Sequence, residues 1–160
     1  MTDYPRQLDD RGLDNNECFG CSRTNPESLG LRFVQTGPDT VEARVALRRE
    51  LCGWPGVAHG GIVSLLIDEV TSWCFSACLD EAKFATRELS VRYLRPTPVQ
   101  QPLVVSARIT ADAGTTVDLI GEVRTPDGQL TARGRVQIVR FDDDDYDRFK
   151  ARVAALSGET

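Results

Sequence analysis

Histidine is almost missing from this sequence: His59 is the only one. Cysteine occurs at 18, 21, 52, 74 and 78, and the "CFGC" of Cys18 and Cys21 is a lone Cys-x-x-Cys. A closed zinc site asks for a second such pair or for histidines. The motif is therefore read as a tight turn of small and apolar residues. A redox role is the lesser reading, since no βαβ pattern surrounds the pair. An odd number of cysteines with no secretory leader points to reduced thiols rather than a disulfide framework.

Other absences narrow the function classes. The start, "MTDYPRQLDDRGLDNNE", has no basic-then-apolar leader. No uninterrupted apolar run reaches membrane-spanning length, so no membrane partner and a cytoplasmic location are expected. Positive charge is in deficit: 19 Lys and Arg against 24 Asp and Glu leave a net charge of −5. Nucleic acid, whose phosphates call for a basic face, is disfavoured. There is no G-x-G-x-x-G and no Walker loop, so nucleotide-binding folds built on them are set aside. Internal repeats are also lacking. No cofactor and no metal are expected.

The 160 residues suit one domain with short extensions. Residues 1–27 are polar and read as an irregular arm. "LGLRFVQ" alternates Leu29, Leu31 and Phe33, and "VEARVAL" places Val41, Ala43, Val45 and Leu47 on one face, giving two strands. "CGWPG" interrupts the pattern. From Gly61 to about Cys78 the period changes: Ile62, Leu65, Leu66, Val70, Trp73 and Ala77 recur as on one helix face. "ELSVRYL" (Glu88–Leu94) alternates again, and three more strand-like runs follow up to residue 141. Residues 142–160 read as an amphipathic helix and tail, with Tyr146, Phe149, Val153 and Leu156 on one side and aspartates capping its start. One long helix among consecutive strands means α+β with a mostly antiparallel sheet over 28–141.

The segment "GWPGVAHGGIVSLLIDEV" concentrates the chemistry. Gly60 and Gly61 stand where the long helix begins, and its first amides have no intrahelical partner. They carry the positive end of the helix dipole, and glycine lets a ligand approach the backbone. Such amides can polarise a carbonyl. Two adjacent carboxylates, Asp68 and Glu69, come about two turns later. At 100° per residue Asp68 shares a side with Ser64, Thr71 and Ser72, while Glu69 lies between Leu65 and Trp73 inside the apolar arc. Periodicity alone marks Glu69 as the anomalous buried acid. The bland alternative is a capped helix with two solvated acids.

Three segments together carry a resemblance. "CFGCSRTNPESLGLRF", "WPGVAHGGIVSLLIDE" and "ELSVRYLRPTP" resemble the PaaI-like hot-dog thioesterases, over about residues 17–140. The resemblance implies a hot-dog fold, an antiparallel sheet wrapped around one long central helix. It implies a homodimer, in some members a dimer of dimers, with sites at the dimer interface. The family's catalytic acid stands nine places after the motif histidine, which selects Asp68 as general base or nucleophile. Gly60 would polarise the thioester carbonyl, with Gly61 beside it in substrate binding and His59 shaping the loop. A hydroxyl ten places before the proline of "YLRP" falls on Thr86, and it is expected from the partner subunit. Arg92, Arg95, Arg133 and Arg135 are candidate phosphate contacts for CoA. Trp54, Trp73, Phe75 and Phe84 are candidates for an acyl pocket or for the core. Two positions depart from the family: Gly53 stands where many members carry Asn, and Cys52 where a subgroup carries Gln.

The function implied is hydrolysis of an acyl- or aryl-CoA to free acid and CoA, with no metal and no cofactor. One alternative is a non-catalytic acyl-CoA-binding module. The other is a hot-dog enoyl-CoA hydratase, which would want an Asp five residues before the histidine, where this chain has Trp54.

Overall fold

The computed structural model describes residues 3–8 and 17–158. Parts of the expected arm, residues 1–2 and 9–16, and the last two residues of the tail lie outside the described residues. In chain order the elements are β1 (Arg6–Gln7), β2 (Phe33–Gln35), β3 (Thr40–Ala46), β4 (Cys52–Trp54), β5 (Val57–Ala58) and α1 (Gly60–Leu79). Then come β6 (Phe84–Tyr93), β7 (Pro102–Asp112), β8 (Thr116–Arg124), β9 (Leu130–Arg140) and α2 (Asp143–Ser157). Seven strands form one antiparallel sheet in the order β1-β2-β3-β7-β8-β9-β6. It wraps α1, as the hot-dog expectation requires.

The helix sits close to the sheet because two glycines face each other beneath it. Gly121 of β8 pairs with Gly134 of β9, and Ile67 fills the groove they leave. A Cβ on Gly121 would lie 2.8 Å from Ile67 Cγ2, and one on Gly134 2.6 Å from the same atom. Ile67 is fully buried, with Leu66, Val70, Cys74 and Phe75 of α1 packed against Leu103, Val105, Leu119, Val136 and Ile138.

The buried face of α1 is turned from the one periodicity suggests. Val63, Leu66, Ile67, Val70, Cys74 and Ala77 form it, whereas Ile62, Leu65 and Trp73 are only partly buried on a flank. Trp73 stacks on Phe33 of β2 at 4.9 Å between ring centroids. α1 is also long and apolar enough to cross a membrane by length and composition, with a mean hydropathy of 1.5, contrary to the expectation from sequence. Burial against the sheet accounts for that composition here.

Other differences have local causes. Leu29 and Leu31 are not in β2. Their amides instead donate to Phe19 O (2.8 Å) and Gly20 O (3.0 Å), fastening the arm. The arm is not wholly irregular, since Arg6 and Gln7 pair with Gln35 and Val34 at the sheet edge. The "CGWPG" interruption is the small hairpin β4–β5, turning at Gly56 with φ +80°. α2 is capped by Asp142, whose side chain accepts from Asp145 N at 2.8 Å. Its start docks, with Phe141 against Phe149 at 5.4 Å, while Val153 and Leu156 remain exposed.

A double-mutant cycle tests the groove. Gly134→Ala should cost about 1–3 kcal/mol by overpacking, and Ile67→Ala about 2–5 kcal/mol by leaving a cavity. Because the new methyl occupies the space vacated by Ile67, the double variant should cost less than the sum in urea unfolding. Additive losses would contradict this packing.

Candidate active site

His59 is the N-cap of α1. Its Nδ1 accepts a hydrogen bond from Gly61 N at 3.0 Å. A ring nitrogen that accepts carries no proton, so the imidazole N–H is at Nε2. The imidazole is thus committed to shaping the turn. Gly53 explains itself here: a Cβ at that position would lie 3.1 Å from His59 Cα and 3.4 Å from Cδ2. The same cap takes up the Gly61 amide. The Gly60 amide, by contrast, has no acceptor among the described residues. It sits at the positive end of a twenty-residue helix.

Gly60, Ser64 and Asp68 follow one another at four-residue spacing and make a polar stripe on α1. Strand β6 supplies its partners. The Tyr93 hydroxyl donates to Gly60 O at 3.0 Å and shares a hydrogen bond with Ser64 Oγ at 2.7 Å. Thr86 Oγ1 donates to Asp68 Oδ1 at 2.7 Å. Asp68 and Thr86 of the same chain are therefore paired. The hydroxyl beside Asp68 does not need to come from a partner.

Thr86 reaches the helix because β6 is bulged. Its register against β9 shifts between Thr86, opposite Ile138, and Glu88, opposite Gln137, leaving Arg87 as the extra residue. Leu89, Val91 and Tyr93 face α1. Simple alternation back from them would turn Thr86 outward, and the bulge reverses that. Tyr93 was missed as a site residue. It reads as one more member of an alternating face, although it is a hydroxyl-bearing residue 54% exposed.

Glu69 has different company. Cys18 Sγ lies 2.9 Å from Glu69 Oε1, and Gly20 N donates to Cys18 Sγ at 3.2 Å. Cys21 hydrogen-bonds both groups through its thiol and donates its amide to Cys18. Burial, then the bond to Cys18, pushes the Glu69 carboxyl up to about 8. The Cys21 thiol, joined by Glu69 and the two backbone amides, draws Cys18 down to about 5 against the opposing effect of burial. "CFGC" is thus more than a turn of small residues. Cys18 Sγ, Cys21 Sγ and a Glu69 oxygen lie within 4.8 Å of one another, a donor set one short of a closed zinc site.

Several candidates are not brought to Asp68. Arg92 pairs across the strands with Arg133, and Ser90 with Arg135, all on the sheet face away from α1. Arg133 is further tied to Glu122, with Nε at 2.8 Å, and Arg95 donates to Leu130 O at 2.8 Å. Phe75 and Phe84 pack on each other at 4.6 Å between centroids, Phe75 deep in the core. Trp54 is 77% exposed on the β4–β5 hairpin.

The sequence profile of the thioesterase superfamily matches residues 55–132, the stretch holding the cap, both acids and Thr86. The crystal structure of the thioesterase superfamily protein RHA08564 aligns with a TM-score of 0.71 and 28% identity, over 77% of this chain and 60% of that one. The Escherichia coli PaaI protein aligns with a TM-score of 0.66 over 72% of this chain and 83% of its own, at 15% identity. The chain has the hot-dog fold. Among sequence relatives of this hot-dog chain, Rv1847 of Mycobacterium tuberculosis is 36% identical over 52 residues, 32% of this chain and 37% of that one. Mouse acyl-coenzyme A thioesterase THEM4 is 28% identical over 91 residues, 55% of this chain and 38% of that one. The chain thus spans under two fifths of the length of these two relatives. The crystal structure of smu.793 from Streptococcus mutans, bound to acetyl CoA, aligns with a TM-score of 0.62 and 21% identity, over 69% of this chain and 88% of its own.

The Glu69–Cys18 pair makes a pH prediction for the hot-dog chain. Between about pH 5 and 8 the folded pair holds one proton, on Glu69. With ordinary values of 4.5 and 9.0 the unfolded pair also holds one, on Cys18. Equal proton counts mean the pair adds little pH dependence across that window. In Cys18→Ser only the buried carboxyl titrates. Its folded pKa stays above 4.5, so the folded state binds more protons. Its stability contribution is complete below that value and is lost as pH rises through the folded pKa, by at most about 1.4 kcal/mol per pH unit. Urea unfolding at pH 5 and pH 8 should therefore show a larger loss toward pH 8 in Cys18→Ser than in the parent. An equally flat response would contradict the shared proton.

Proposed function

We propose that this chain hydrolyses acyl-CoA thioesters to free acid and CoA, with Asp68 as general base or nucleophile. The observation that carries the reading is the Asp68–Thr86 hydrogen bond on the same helix stripe as the Gly60 amide. It is supported by the superfamily match over these residues and by relatives named as acyl-CoA thioesterases or solved with acetyl CoA. A thioester carbonyl is weakly resonance-stabilised. One helix-terminal amide to polarise its oxygen and one carboxylate to activate water, or to attack directly, supply the chemistry. Thr86 holds one oxygen of Asp68 and leaves the other to work.

The spacing of these groups argues for two copies. Gly60 and Asp68 are eight residues apart on one helix, about 12 Å along its axis at 1.5 Å per residue. One carbonyl carbon cannot sit within about 3 Å of both. β6, ten residues long, is at the end of the sheet order and offers unpaired backbone on one side. Two copies joined edge to edge through β6 would bring Gly60 of one toward Asp68 and Thr86 of the other. Tyr93 and Trp54, exposed here, would then gain cover.

A panel of short, long and aryl-CoAs, followed by thiol release, tests the activity. Turnover with at least one class is expected, and tight CoA-ester binding without turnover by any would sink the reading in favour of a binding module. Thr86→Val should lower kcat about ten- to a hundredfold with little change in KM, since it positions the acid without holding substrate. Sedimentation should give a dimer or a multiple of it, and an active monomer would contradict the two-copy site.

A further inference from the structure

The thioesterase reading leaves "CFGC" unused, yet the structure builds a site around it. The turn of Cys18–Cys21 is closed by Ser22 N donating to Cys18 O at 3.1 Å. The two sulfurs and a Glu69 oxygen lie within 4.8 Å of one another. Gly20 has no side chain where one could not fit: a Cβ there would stand 2.4 Å from Glu69 Cδ and Cγ. The loop is thus laid directly on the carboxyl. Cys18 is half-buried and receives an amide hydrogen bond, whereas Cys21 is buried behind it. A nucleophilic sulfur within reach of solvent, a second sulfur behind it and a proton acceptor touching both are the parts of a dithiol that cycles with its disulfide.

We propose that Cys18 and Cys21 form a redox-active dithiol, with Glu69 as its proton carrier. The oxidant class is a small-molecule disulfide, RSSR. Cys18 thiolate attacks one sulfur of RSSR, the S–S bond breaks, and RS⁻ leaves with the proton of Glu69. Ionised Glu69 then takes the proton of the Cys21 thiol. Cys21 thiolate attacks Cys18 Sγ and expels the second RS⁻, which receives that proton. Two electrons pass from the cysteine sulfurs to RSSR, giving one Cys18–Cys21 disulfide and two RSH. The negative charge moves from Cys18 to Glu69. The low proton affinity of Cys18 and the high one of Glu69 agree with these starting states.

The other touching pair sets a contrast. Cys74 and Cys78 are 3.9 Å apart but one turn apart on α1. At that spacing Cβ atoms are about 5–6 Å from each other, beyond the roughly 3.5–4.5 Å a disulfide spans. Cys74 is also buried and its thiol is pushed far up.

The test uses the full chain and glutathione disulfide, and it reads sulfur chemistry alone, so its failure is separate from failure of the thioesterase reading. After oxidation the intact mass should fall by about 2 Da, as for one dithiol closing, and peptide mapping should place the bond between Cys18 and Cys21. Cys21→Ser should stop at a glutathione adduct on Cys18. Glu69→Gln should let that adduct accumulate, with closure slowed about tenfold or more while the far-UV circular dichroism is unchanged. A stable adduct in the parent, oxidation first at Cys52, Cys74 or Cys78, or a stoichiometric divalent metal held on Cys18 and Cys21 that blocks closure would each overturn the proposal.

Discussion

Ile67 pressed between Gly121 and Gly134 is the contact on which the rest depends. The two facing glycines let α1 approach the sheet more closely than any Cβ would permit. They also fix the helix in rotation. With Ile67 pointing into the sheet, the next residue turns toward β6 and the one after toward the arm, at 100° per residue. The adjacent acids therefore cannot share an environment. Asp68 meets Thr86, and Glu69 meets Cys18. A rotation of α1 by a single residue would bring Glu69 to the side facing Thr86 and turn Asp68 into the sheet.

This separation gives two sites on opposite flanks of one helix. The β6 flank carries a polar stripe from Gly60 through Ser64 to Asp68, and it ends at a sheet edge where a second copy could pair. The other flank is closed by the N-terminal arm, fastened by backbone hydrogen bonds from Leu29 and Leu31. Glu69 is desolvated on that side. It tolerates burial by keeping a proton, which the Cys18 thiol gives up because two amides and a second thiol support its charge. The sites differ in chemistry as well as place, one suited to activating water and the other to moving protons between sulfur and carboxyl.

The succession of strands along the chain and the long helix among them are legible in the sequence because hydrophobic period reports packing. The rotation of α1 is less so. Ile62, Leu65 and Trp73 share the apolar period with the residues that face the sheet, yet they are only partly buried, and the period does not tell the two faces apart. Glu69 is half-buried in the apolar arc, and the period is silent about its partners. The motif spacing chose Asp68, and its bond to Thr86 fits that choice. Thr86 itself is invisible to alternation, since a single extra residue, Arg87, reverses the faces of β6. Tyr93 hides among Leu89 and Val91 for the opposite reason, because it obeys the alternation. "CFGC" looked like a turn because its third partner is a carboxylate 48 residues beyond Cys21, a type and distance no local motif encodes.

The central claim is that two neighbouring carboxylates have unrelated roles, and it is tested by comparing Asp68→Asn with Glu69→Gln on one acyl-CoA that the parent turns over. Both changes remove one ionisable oxygen at nearly constant shape. The account predicts that Asp68→Asn lowers kcat by about 100-fold or more, while Glu69→Gln stays within a few-fold of the parent. The reverse order, or equal losses, would contradict it.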